Sequence, residues 1–147
     1  MRELLLSAKS LFEESKNNIS LLANASAFLN ETIPHLNWVG FYLYDNGTLE
    51  LGPFQGKTAC VSIEVGRGVC GKAFLTGKIL NVTDVDLFDG HIVCDHVSKS
   101  ELVVPLIKDD VKIGVLDIDS PLYNRFDEAL VSFMKAYVEL LLSFYKQ

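Results

Sequence analysis

Apolar residues recur at helical spacing near both ends of the chain. At the start, Leu4, Ala8, Leu11 and Phe12 fall on one side of a helix. Asn17-Asn18 interrupts that run, and Leu22, Ala25, Phe28 and Leu29 then restore it. Ser20 is the expected cap of this second helix, and Pro34 closes the segment. Near the end, Leu130, Phe133, Met134, Tyr137, Val138 and Leu141 form one stripe, continued by Leu142 and Tyr145. Its helix is expected to begin near Asn124 or Asp127. The stripe is either core against a sheet or an interface with a partner helix.

Between these helices the period changes. Residues 38–44 are rich in aromatics and run into Asp45-Asn46-Gly47, a tight-turn signal, so residues 48–51 return as the second strand of a hairpin. Gly52-Pro53 is expected to end that strand. Residues 60–65 read as a short strand, and residues 68–76 as a short helix entered through glycines. Residues 81–97 read as an irregular loop holding Asp84, Asp86, Asp89, Gly90 and His91, and long loops in compact domains are often functional. A second hairpin joins residues 102–107 to 111–118 around Lys108-Asp109-Asp110 and ends at Pro121. Terminal helices around hairpin-linked strands give an α+β fold with a largely antiparallel sheet.

Composition narrows the function. The chain has 147 residues, 49% of them hydrophobic and 22% charged, which fits one ordinary globular domain spanning 1–147. Thirteen Lys and Arg against nineteen Asp and Glu leave a net charge of −6, which argues against a nucleic-acid groove and against docking on an anionic membrane. An odd set of three cysteines points to a reducing, cytoplasmic compartment rather than a disulfide-stapled secreted domain. No segment has the apolar length of a signal peptide core or a membrane span.

Two groups of residues can carry chemistry. Cys60, Cys70 and Cys94 read individually as buried small hydrophobes. Their surroundings favour a redox thiol pair instead. Cys70 lies beside Arg67 at an expected helix N-terminus, a setting that biases a thiol toward thiolate, and Cys94 lies in the irregular loop. One cysteine would pass through a sulfenic acid and another would resolve it as a disulfide. A zinc set of Cys60, Cys70, Cys94 and His91 lacks any Cys-x2-Cys pair and is set aside.

Asp117 and Asp119 end an apolar strand in which 111, 113, 115, 117 and 119 are expected to share one face. Asp119 suits the turn into Ser120-Pro121; Asp117 has no such explanation. Like charges on one face need a cation or a shared proton, and an ammonium group fits. Glu101 reads on its own as a solvated strand end. Trp38, with Phe41, Tyr42 and Phe54, reads most simply as core.

At these residues the chain resembles a known family. The matching stretches are Asn37-Trp38-Val39-Gly40-Phe41-Tyr42, Leu51-Gly52-Pro53-Phe54-Gln55-Gly56, Gly66-Arg67-Gly68-Val69-Cys70-Gly71, Gly90-His91-Ile92-Val93-Cys94-Asp95, Ser100-Glu101-Leu102-Val103-Val104-Pro105 and Gly114-Val115-Leu116-Asp117-Ile118-Asp119-Ser120-Pro121. Together they look like the free methionine-(R)-sulfoxide reductases, single GAF domains that reduce the free amino acid. The resemblance implies a GAF-like α+β fold, with a central antiparallel sheet flanked by N- and C-terminal helices, and often a homodimer packed through those helices. It implies that Cys94 attacks, Cys60 resolves, and Cys70 is accessory or an alternative resolver. It implies that Glu101, Asp117 and Asp119 belong to the substrate pocket and that Trp38 and Tyr42 form its aromatic wall. The partners implied are free methionine sulfoxide and a thioredoxin-like dithiol reductant, with no metal or organic cofactor.

Chemistry and resemblance then agree on a mechanism. Sulfur attack by Cys94 requires a proton on the departing oxygen, for which Glu101 is the candidate acid, with the two Asp side chains holding the substrate ammonium; sequence alone leaves these roles exchangeable among Glu101, Asp117 and Asp119. Backbone N–H groups at the start of the 68–76 helix would take the carboxylate. Two other readings stand beside this one: a small-ligand-sensing GAF module without catalysis, and a structural or redox-sensing dimer with inert cysteines. A sensor usually accompanies an output domain, for which this length leaves no room, and it needs no three cysteines.

Overall fold

The computed structural model describes residues 1–92 and 97–147. Two helices open it, α1 (Arg2–Glu13) and α2 (Asn18–Thr32). The strands β1 (Trp38–Asp45), β2 (Thr48–Gly56) and β3 (Ser62–Glu64) follow, then helix α3 (Gly68–Thr76) and strand β4 (Leu80–Val82). After a 3-10 turn at Val85–Leu87 come β5 (Ser100–Lys108), β6 (Val111–Ser120) and the last helix, α4 (Glu128–Phe144). The strands form one six-stranded sheet in the order β3-β2-β1-β6-β5-β4. Each neighbouring pair is antiparallel. The expected α+β class and hairpins are present.

Side-chain alternation makes the sheet a partition between two cores. Val39 and Phe41 of β1, Leu102, Val104 and Leu106 of β5, and Leu116 and Ile118 of β6 pack with α1, α2 and α4. Trp38, Tyr42, Val103 and Val115 point the other way, toward α3 and the loops. On the helical side, Phe12 meets Tyr137 edge-on at 5.5 Å, and the buried Tyr137 hydroxyl donates to the Ala25 carbonyl at 2.8 Å. The C-terminal stripe is thus core within this chain, with Leu130 through Leu142 buried at each apolar stripe position.

Several local expectations are corrected. The cap of α2 is Asn17, whose side chain accepts from the Ser20 N–H at 2.8 Å, because an N-cap oxygen reaches the N–H three residues on. By the same geometry Asp127 caps α4, through the Leu130 N–H at 2.9 Å. Strand β2 does not end at Gly52-Pro53. Gly40 pairs with Phe54 and Tyr42 with Leu51, so Gly52 and Pro53 together face Phe41 as a bulge and the strand continues. A bulge is where a sheet tolerates a proline that has no N–H to donate.

A second irregularity lies between β5 and β6, where Leu106 pairs with Gly114 and Ile107 with Lys112. Ile113 is the extra residue and packs on the helical side, while Val115 packs on the other. The shared face expected for 111–119 therefore holds only from Val115 onward. The strand expected at 60–65 is confined to Ser62–Glu64, and the loop expected at 81–97 contains the end of β4 and the 3-10 turn.

Candidate active site

The pocket is set by register on three adjacent strands. Asp119 of β6 faces Trp38 of β1 on one side and Glu101 of β5 on the other. Asp117 faces Gly40 and Val103 in the same way. All six positions thus lie on the sheet face away from the terminal helices. Trp38, Tyr42, Cys70, Glu101, Asp117 and Asp119 line one cavity there, with Gly68 and His91 at its border. Glu101 and Asp117 are only 6% exposed.

The aromatic wall depends on a residue without a side chain. The Trp38 ring stacks between Tyr42, at 5.9 Å, and Phe54, at 5.2 Å. It does so across Gly40, where an added Cβ would stand 2.9 Å from Trp38 Cη2 and inside contact distance of Phe54. Trp38 Nε1 donates to the Lys57 carbonyl at 3.1 Å, and the Tyr42 hydroxyl donates to the Cys60 carbonyl at 2.8 Å. The wall is thereby tied to the segment that carries Cys60.

Opposite the strands stands the N-terminus of α3. Its N-cap, Arg67, provides no side-chain cap hydrogen bond, so the first backbone N–H groups at Gly68, Val69 and Cys70 border the pocket without a side-chain acceptor at the cap. Gly68 has φ 63, and an added Cβ would press on Ile92 at 3.0 Å. Such an end attracts carboxylate groups.

Burial governs the electrostatics. It pushes the Glu101 carboxyl up to about 8, with the negative charge of Asp119 adding to the effect. Burial likewise raises Asp117 well above the usual carboxylate range, followed by repulsion from Glu101. The Cys70 thiol is raised by burial first and then by the Asp117 and Glu101 charges. His91 Nε2 lies 3.4 Å from Glu101 Oε1, and its own burial lowers its affinity for a proton. At neutral pH Glu101 is therefore a carboxylic acid and Cys70 a thiol, facing an aromatic wall.

Cys70 corrects the expectation of a thiolate. It is a free, buried thiol, and burial first, then the neighbouring carboxyl groups, hold its proton on. The Arg67 side chain that was to stabilise an anion is 68% exposed and pairs with Glu64 at 3.8 Å instead. Cys60 is disulfide-bonded, so the zinc set that included it is not assembled. Cys94 lies outside the described residues. Two contributors carried no clear sequence signal: Gly40, whose role depends on a cross-strand neighbour, and His91, whose contact with Glu101 depends on how the loop after β4 folds back toward β5.

Comparison with known proteins agrees with this geometry. The GAF domain family model matches residues 20–141. The free methionine-R-sulfoxide reductase of Escherichia coli is 54% identical over 110 residues, covering 75% of this chain and 67% of that protein. The protein of the same name from Saccharomyces cerevisiae is 42% identical over 149 residues, covering 96% and 83%. The crystal structure of the free methionine-R-sulfoxide reductase from Neisseria meningitidis in complex with its substrate superposes with a TM-score of 0.94 at 41% identity, covering 98% of this chain and 87% of that one. With its fold, its paired carboxyl groups and these likenesses in hand, the chain belongs to the free methionine-R-sulfoxide reductase family of GAF domains.

Proposed function

We propose that this pocket reduces free L-methionine-(R)-sulfoxide to L-methionine. The observation that supports it most is the burial of Glu101 and Asp117 together beneath the Trp38–Tyr42 wall. A sulfoxide needs an apolar surface for its methyl group and a proton for its oxygen, and that combination offers both.

The Cys94 thiolate attacks the sulfoxide sulfur. Glu101, protonated at neutral pH, gives its proton to the oxygen. The S–O bond breaks, methionine leaves with a reduced sulfur, and Cys94 retains the oxygen as sulfenic acid. The Cys60 thiol then displaces that oxygen as water and closes a disulfide, which a thioredoxin-like dithiol reduces in turn. Cys60 is the resolver preferred over Cys70 because Cys60 is the bridged cysteine and Cys70 a buried thiol held protonated. Asp117 and Asp119 hold the substrate ammonium, and the open N–H groups of α3 hold its carboxylate. Both contacts need the free amino acid, since a peptide-bound residue would leave these polar groups unpaired. The same reading includes one domain over residues 1–147, a homodimer, a cytoplasmic location and an antioxidant role.

The test is thiol titration and methionine release on adding free methionine-R-sulfoxide to reduced protein. Loss of two thiols per methionine released is the expected result. Binding without thiol loss would instead establish a sensor, and full activity in Cys94→Ser would overturn the assignment of the nucleophile.

A further inference from the structure

The pocket floor gathers three metal-ligating side chains from separate parts of the chain, with a fourth, His91, beside one of them. Cys70, Glu101 and Asp117 each present a donor atom, and these three atoms lie within 4.8 Å of one another. His91 Nε2 is 3.4 Å from Glu101 Oε1. Asp117 is 6% exposed, and its Oδ1 has no hydrogen-bond partner among the described residues. A thiol, an imidazole and two carboxyl groups match the donor types of zinc. Bond lengths of about 2.3 Å to sulfur and about 2.0 Å to nitrogen or oxygen put tetrahedral ligands roughly 3.3 to 3.5 Å apart. The His91–Glu101 separation already fits that spacing, and the donors of Cys70, Glu101 and Asp117, within 4.8 Å of one another, need to contract by up to about 1.5 Å, within the reach of a side-chain torsion.

We propose that Cys70, Glu101 and Asp117, with His91 beside Glu101, form an inhibitory site for a thiophilic divalent cation of the Zn2+ or Cd2+ class, which occupies the substrate pocket and excludes the amino acid. The ion is not a cofactor. It replaces the protons on Cys70 and the carboxyl groups, which pass to solvent, and it removes the acid that the reduction requires. The competition rests on the functional reading above; the binding does not.

The experiment uses Cd2+ alone as the probe. In protein carrying Cys60→Ser and Cys94→Ser, Cys70 is the sole thiol, so a cadmium–thiolate charge-transfer absorbance reports this site directly. One equivalent should saturate the band, Cys70→Ala should abolish it, and Asp117→Asn or Glu101→Gln should weaken binding at least about tenfold. Oxidised wild-type protein, in which Cys60 is bridged, gives the same titration without depending on the variant's folding. Absence of the band in folded protein, or unchanged affinity in both carboxylate variants, overturns the site. Free methionine should displace the ion. A cadmium band with no displacement and no sulfoxide reduction overturns the functional reading and the competition but upholds the site; sulfoxide reduction with no band overturns the site alone.

Discussion

Glu101 and Asp119 are direct cross-strand partners in the antiparallel β5–β6 pair. Side chains so placed have Cβ atoms roughly 5 Å apart, so the charge of the half-buried Asp119 adds to what burial does to Glu101. The proton on Glu101 at neutral pH therefore follows from burial first and from its register opposite Asp119 second. If that proton is the one delivered to the sulfoxide oxygen, kcat/KM should fall as pH rises through about 8, the value to which burial and Asp119 push Glu101. Glu101→Gln should cost about 10²- to 10⁴-fold and erase this alkaline limb. A retained limb in the variant would assign it to another group.

The same shift predicts stability. Between its ordinary value of 4.5 and about 8, folded Glu101 holds its proton while the unfolded chain has already released it. The native state thus binds more protons in that window, and stability must decline as pH rises through it. Each such group contributes a slope of up to about 1.4 kcal/mol per pH unit. Chemical denaturation at pH 5, 6, 7 and 8 should show this decline in wild-type protein, and a shallower one in Glu101→Gln, with Asp117 supplying the remainder.

Trp38 is the single tryptophan and lines the pocket. Its fluorescence should change on titration with free methionine and stay constant with an N-acetylated, amidated analogue. A response to both would show that the amino and carboxyl groups are not what the site reads.

Gly40→Ala places a methyl group between Trp38 and Phe54. Forcing the stacked rings apart should cost about 1–3 kcal/mol of stability and raise KM by displacing the wall. Thermal unfolding and steady-state kinetics measure the two effects separately, and an unchanged Tm would mean the rings yield without strain.

Lys72 of α3 fastens the loop that borders the site. Its Nζ donates to the Asp89 carbonyl at 2.9 Å and lies 4.8 Å from the Phe88 ring centroid. Lys72→Met should speed hydrogen exchange at residues 86–92 several-fold while leaving exchange in β1 and β6 unchanged. Equal protection in both proteins would show that the loop is held by Phe88 and Ile92 packing alone.

Much of this architecture was legible because single-element patterns declare themselves locally. The stripe from Leu130 to Leu142, the turn at Asp45-Asn46-Gly47 and the glycine-flanked α3 each follow from spacing within a few residues. The two bulges did not follow, since an extra residue such as Ile113 is defined only against the partner strand. The site divided likewise. Asp117 stood out as a charge ending an apolar row, and Glu101 did not, because its burial is set by the fold of the sheet around it. Cys70 differs from the thiolate expectation for a like reason: its helix end is visible in sequence, whereas its burial and the carboxyl groups facing it are set by the tertiary fold.

The partition made by the sheet has one more consequence. In β6, Leu116 and Ile118 serve one side and Asp117 the other, so scaffold and reagent alternate residue by residue. A slip of a single step in pairing would drive a carboxyl group into the hydrocarbon beneath α4 and hand the cavity a leucine or isoleucine. Misregistered chains are thus penalised by the acids themselves, and the groups that equip the cavity for proton transfer also act as a proofreader of folding.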